Sequence, residues 1–149
     1  MLDKIFPKIH TEGYKFLLIF IAATIVLYFI HGFLGFVGFV LSIWVYYFFR
    51  DPDRVSIDDD NYLTSPADGL VLQVLETNGP KELELENKKF TKISIFMNVF
   101  DCHVNRTPCA GKISQIVYKA GKFFNASLDK ASEENERNYY KVRNSSGED

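Results

Sequence analysis

FLLIFIAATIVLYFIHGFLGFVGFVLSIWVYYFF, residues 16–49, contains no Asp, Glu, Lys or Arg, whereas the 99 residues after Arg50 are rich in charge. A mean hydropathy of −0.05 conceals this division. As one helix the 34-residue run would extend roughly 51 Å, well beyond a bilayer hydrocarbon core of roughly 30 Å. His31-Gly32, Gly35 and Gly38 interrupt it near the middle. Glycine is a poor helix-interior residue, and three glycines spaced by three permit close backbone approach. The run therefore predicts a helical hairpin over about Tyr14–Ile30 and Phe33–Phe49, crossing a thin bilayer twice or dipping into one leaflet. Tyr14, Trp44, Tyr46 and Tyr47 lie near its ends, where amphipathic rings favour the headgroup region.

Working outward, Lys4, Lys8 and Lys15 precede the run, Arg50 and Arg54 follow it, and the connecting turn has no Lys or Arg. Both ends are expected on the cytoplasmic side. A cleaved signal peptide fits poorly, because no small-residue cleavage site separates the run from Arg50. A buried core hairpin fits poorly too, since 99 residues could hardly cover 34 consecutive apolar ones. The expected organisation is a cytoplasmic segment 1–13, a membrane hairpin 14–49 and a β-rich domain 50–149. A net charge of −2 with scattered basic residues gives no nucleic-acid footprint. Cys102 and Cys109 read as reduced thiols.

Pro52 disfavours helix at Asp51 and ends the membrane segment. Beyond it, Leu70–Leu75, Phe90–Phe96 and Ile113–Tyr118 read as short strands. Glu82, Glu84 and Glu86 alternate with Leu83 and Leu85, as in a half-buried strand. Pro66-Ala67-Asp68-Gly69-Leu70-Val71-Leu72-Gln73-Val74 is echoed by Pro108-Cys109-Ala110-Gly111-Lys112-Ile113-Ser114-Gln115-Ile116. A turn delivering a strand, used twice, suggests a mainly-β flattened barrel or sandwich with a pseudo-repeat. Ser127–Glu136 is expected to hold a short helix, and Tyr139–Val142 to begin a strand with no partner left to pair with.

Three stretches could carry chemistry. In Ser65-Pro66-Ala67-Asp68-Gly69 the aspartate is most simply a turn-former. Residues 96–108, Phe96 to Pro108, place Asp101, Cys102, His103 and Arg106 within six positions. His103 is either a half-buried histidine satisfied by backbone or, since it titrates near neutrality, the natural proton donor or acceptor. Arg106 suits bidentate binding of phosphate or carboxylate, or a structural ion pair. A zinc site on Cys102, His103 and Cys109 is disfavoured, because neighbouring strand residues point to opposite faces. The third stretch joins Phe123-Phe124-Asn125 with Asn135-Glu136-Arg137-Asn138.

The ordered set Phe49-Arg50-Asp51-Pro52, Ser65-Pro66-Ala67-Asp68-Gly69, Phe96–Pro108 and Asn135-Glu136-Arg137-Asn138 resembles the phosphatidylserine decarboxylase family, closest to the short form that includes archaetidylserine decarboxylases. The resemblance spans nearly the whole chain. It implies a membrane-associated pyruvoyl enzyme that converts a serine phospholipid to the ethanolamine lipid. The pyruvoyl group arises from a serine when a Gly-Ser bond breaks itself, and then serves as electron sink. By position, Asp68 matches the aspartate that assists self-cleavage and His103 the histidine associated with decarboxylation. Asn125, Asn135, Glu136 and Arg137 match a segment lining the site.

Two departures stand out. Longer members carry a second histidine where this chain has Arg106, and arginine cannot act as an ordinary base. No Gly-Ser pair occurs in the 149 residues. The expectation is an incomplete, inactive version that needs a C-terminal segment or small pyruvoyl chain. Self-association is a further expected partnership. The alternative is a membrane-tethered, non-catalytic β module that binds lipid headgroups or a partner. A hydrolase using His103 with Asp68 or Asp101 would lack an identifiable nucleophile.

Overall fold

The computed structural model describes residues 6–57, 59, 61–124 and 134–144. Helix α1 (Gly13–Ile30) is followed by helix α2 (Gly32–Phe48), then strands β1 (Leu70–Asn78), β2 (Lys89–Phe96), β3 (Gly111–Lys119) and β4 (Arg137–Asn144). A 3-10 turn, Lys81–Leu83, separates β1 from β2. The chain divides into two compact units. One holds the hairpin through Ile57 with Ser65–Gly69 and Met97–Arg106; the other holds Asp58–Thr64, Leu70–Phe96 and the residues from Thr107 onward.

In the first unit the two helices are antiparallel neighbours, as the sequence predicts. Their 18 and 17 residues correspond to lengths of about 27 and 26 Å. α1 is long and apolar enough to cross a membrane. The break falls on His31, whose extended backbone (φ −161°, ψ 131°) interrupts the helix and whose Nδ1 accepts from Phe33 N at 3.2 Å, capping α2. Gly35 and Gly38 allow the close approach: an added Cβ would lie 2.7 Å from Tyr28 Cβ or from Thr24 Oγ1. Gly32 has open space beside it and contributes only to the turn. Thr24 Oγ1 and Ser42 Oγ meet at 3.2 Å across the helices. Such a bond between apolar helices contributes about 0.6 kcal/mol. The hairpin mouth is closed by backbone pairing of residues 8–10 with 49–51, including His10 N to Phe49 O at 3.0 Å.

In the second unit β1 pairs with β2 and β3 with β4, both antiparallel, as two separate two-stranded sheets. β1 continues through Thr77 and Asn78 before the chain turns. Two expectations are corrected here. The Glu82–Glu86 alternation is not a strand: the chain makes a 3-10 turn, and Glu84 adopts a left-handed conformation (φ 57°). Leu83 and Leu85 are nonetheless buried, so the alternation reports burial and not extended backbone. The strand beginning at Tyr139 does have a partner: β4 pairs along β3 from Lys119–Arg137 to Gly111–Asn144. The connection between β3 and β4 is long, so a reading of adjacent residues misses the pairing. The two ladders slip register at matching points of the sequence echo, between Val71 and Gln73 and between Ile113 and Gln115. Residues 127–133, most of the expected short helix, lie outside the described residues, and Asn135 instead forms an isolated parallel bridge with Lys122.

Candidate active site

The turn Asn98-Val99-Phe100-Asp101 is built by its own side chains. Asn98 N donates to Asp101 Oδ2 at 2.9 Å, Asp101 N to Asn98 O at 2.8 Å, and Phe100 N to Asn98 Oδ1 at 3.1 Å. Short polar side chains that bond nearby backbone favour such turns. The Asn98 carbonyl also accepts from His103 Nε2 at 2.9 Å. The imidazole stacks on Phe48 of α2, with centroids 4.0 Å apart and planes 14° from parallel. His103 N donates to Phe48 O at 3.2 Å, and the buried Cys102 thiol donates to Arg50 O at 2.9 Å. His103 is thus fixed in orientation by the last turn of the hairpin. With Nε2 donating, a neutral ring keeps its lone pair on Nδ1, which has no partner among the described residues.

Arg106 N donates to Pro66 O at 2.9 Å, drawing residues 65–69 into the same unit. Its Nη2 binds Asp51 and, at 2.6 Å, the Pro52 carbonyl. Asp68 forms an ion pair with Arg54 and has no hydrogen bond to His103. These ion pairs are 36–48% exposed, where screening leaves each about 0–1 kcal/mol. They fix direction more than they stabilise. Asp68 and Arg106 are therefore each held by residues between Asp51 and Arg54.

Asn135, Glu136 and Arg137 belong to the other unit. Asn135 clasps the backbone of Phe124, donating to its carbonyl and accepting from its N–H, both at 2.7 Å. Beside it, a Cβ on Gly121 would fall 2.5 Å from Asn135 C, so backbone meets backbone there. Glu136 accepts a hydrogen bond from Tyr118, which holds that phenol above its usual range. Arg137 lies 3.7 Å from Glu82, whose carboxyl also accepts from Lys119 at 2.7 Å. Asn125 lies outside the described residues.

Sequence reasoning missed Phe48, Arg54 and the Asn98 carbonyl. The Asn98-x-x-Asp101 spacing is a readable turn signal, and Arg54 offers a charge complement to Asp68. Nothing distinguishes Phe48 from its apolar neighbours before folding.

Comparison with known proteins shows the family of the chain. The phosphatidylserine decarboxylase family model matches residues 41–149. Over all 149 residues the chain is 75% identical to a phosphatidylserine decarboxylase proenzyme of Pelagibacter ubique, covering 69% of that protein. It is 51% identical over 138 residues to the proenzyme of Ruegeria pomeroyi, covering 93% of this chain and 63% of the relative. It is 45% identical over 147 residues to that of Cereibacter sphaeroides, covering 99% of this chain and 63% of the relative. The match takes in the end of α2, the Asn98–Arg106 stretch and both sheets, and these relatives are decarboxylases, hence lyases. The chain belongs to the phosphatidylserine decarboxylase family.

Proposed function

We propose that this chain forms the membrane-bound, proton-handling part of an enzyme that decarboxylates a serine phospholipid, phosphatidylserine or archaetidylserine, to the ethanolamine lipid. The observation that carries the reading is His103, stacked on the last turn of an apolar hairpin in a chain of this family. A substrate with two lipid chains stays in the bilayer, and an imidazole anchored at the helix end lies within reach of its headgroup.

A pyruvoyl group, when present, supplies the electron sink for loss of carbon dioxide. The residues here suit it: His103 offers an oriented nitrogen for proton transfer, and Asp68 is oriented by its ion pair with Arg54. His103 would hold and deliver the proton at Nδ1. Asp68 would assist self-cleavage. Arg106 retains Nε and Nη1 donors for an anionic headgroup. With no Gly-Ser pair, these 149 residues would not decarboxylate alone. Residues 14–49 would act as the membrane part and 50–149 as the β-rich part on the cytoplasmic face, the latter closing as a barrel or sandwich. The matching register slips in the two strand pairs support a pseudo-repeat.

The test is the natural gene product, purified from its membrane and denatured under reducing conditions for intact mass, with a parallel assay of carbon dioxide release from the serine lipid. A precursor split in two, a smaller chain with a blocked N-terminus, and turnover stopped by borohydride are expected. A single unsplit chain without turnover would overturn the reading and favour the tethered lipid-binding module.

A further inference from the structure

Val99 and Phe100 form the tip of the Asn98–Asp101 turn, and both are exposed, Phe100 to 73%. In a turn otherwise made of Asn and Asp, this apolar pair leaves more than half of its surface uncovered. The tip is nonetheless fixed in place. Trp44 Nε1 donates to Val99 O at 3.1 Å, and Arg50 Nη1 to Phe100 O at 3.4 Å. Trp44 sits four residues before the end of α2, about 6 Å inside the helix terminus. The tip backbone is therefore held level with the last helical turn, among Trp44, Tyr47 and Phe48. Aromatic rings at that level mark the boundary between headgroups and acyl chains.

We propose that Val99 and Phe100 insert into the bilayer interface as a second membrane contact beside the hairpin. The occupant is lipid, because the tip is bonded to Trp44, and Val37, Val40 and Leu41, one and two turns before it on the same side of α2, are likewise exposed. Apolar side chains at this depth bury their surface at the acyl boundary while their backbone groups stay bonded. Here both tip carbonyls are satisfied by Trp44 and Arg50. The contact places His103, three residues on and bonded to the same turn, at the membrane surface. This inference rests on the hairpin lying in the bilayer.

The experiment is carbene labelling of the unsubstituted natural protein, in vesicles whose phospholipids carry a diazirine in the acyl chain. Tryptic peptides are then sequenced by mass spectrometry. Cleavage at Lys15 and Arg50 releases the hairpin, residues 16–50, and cleavage at Lys92 and Arg106 releases residues 93–106. Labels on Val99 and Phe100 together with labels on 16–50 are expected, and a Phe100→Asp variant should lose most of the tip label while keeping the hairpin label. A labelled hairpin with an unlabelled tip would overturn the insertion and leave the hairpin reading intact. An unlabelled hairpin would overturn both.

Discussion

The two units of this molecule achieve order by opposite routes. In the strand unit, partners are delivered by backbone ladders, and β1 meets β2 through a short connection. In the hairpin unit, residues 97–106 are fastened to residues about fifty positions earlier by single side-chain and carbonyl bonds: Trp44 to Val99, Arg50 to Phe100, Cys102 to Arg50, Arg106 to Asp51. Ladders give a rigid frame without regard to chemistry. The individual bonds instead fix particular groups in chosen directions, among them the Arg106 guanidinium. The hairpin is therefore more than an apolar segment: its last turn is part of the wall on which His103 rests.

The strongest way to break this contrast is His103→Phe in the natural gene product. Stacking on Phe48 is kept and proton exchange lost, so decarboxylation should fall about 10²–10⁴-fold with the fold unchanged, checked by carbon dioxide release and circular dichroism. Undiminished turnover would move the chemistry elsewhere. Next is Gly35→Leu, which forces a side chain into Tyr28 and should cost about 1–3 kcal/mol, read as lowered thermal stability in detergent. Gly32→Ala, facing open space, is the control and should change little.

Phe48→Ala sharpens the claim that the hairpin positions the imidazole. Removing a stacked ring should cost about 1 kcal/mol, hence a severalfold loss of turnover restored by Phe48→Tyr. If alanine turns over normally, the stacking is incidental. The smallest effect is expected in the strand unit. The hydrogen bond from Lys119 holds the Glu82 carboxyl below its usual range, helped by its backbone hydrogen bond and by the charges of Lys119 and Arg137. That stabilisation is present above the ordinary glutamate range and is lost as the pH falls through the lowered value. Acid titration of thermal stability should show this loss, and Glu82→Gln should remove that part of the pH dependence.

Legibility followed the distance over which each feature is decided. The hairpin, its break near His31 and strands β1 to β3 were readable, because uncharged length, glycine spacing and apolar alternation are local properties. The close approach at Gly35 and Gly38 was readable for the same reason, whereas Gly32 shows that spacing alone overcounts. Alternation at Glu82–Glu86 misled, since a buried-exposed rhythm can arise from a 3-10 turn as well as from a strand. Asp68, His103 and Arg106 could be singled out by residue type and by resemblance. Their partners could not.

The sequence by itself determined that an apolar hairpin precedes a charged β-rich region, and it offered Asp68, His103 and Arg106 as candidates. Only the tertiary structure decided that β4 pairs with β3, that Asp68 turns to Arg54, and that His103 stacks on Phe48 with Nε2 committed to Asn98. Periodicity and composition act over a few residues and survive in one dimension. A stacking contact or a single hydrogen bond across fifty residues leaves no periodic trace, because any aromatic ring or carbonyl of suitable position would serve until the fold selects one.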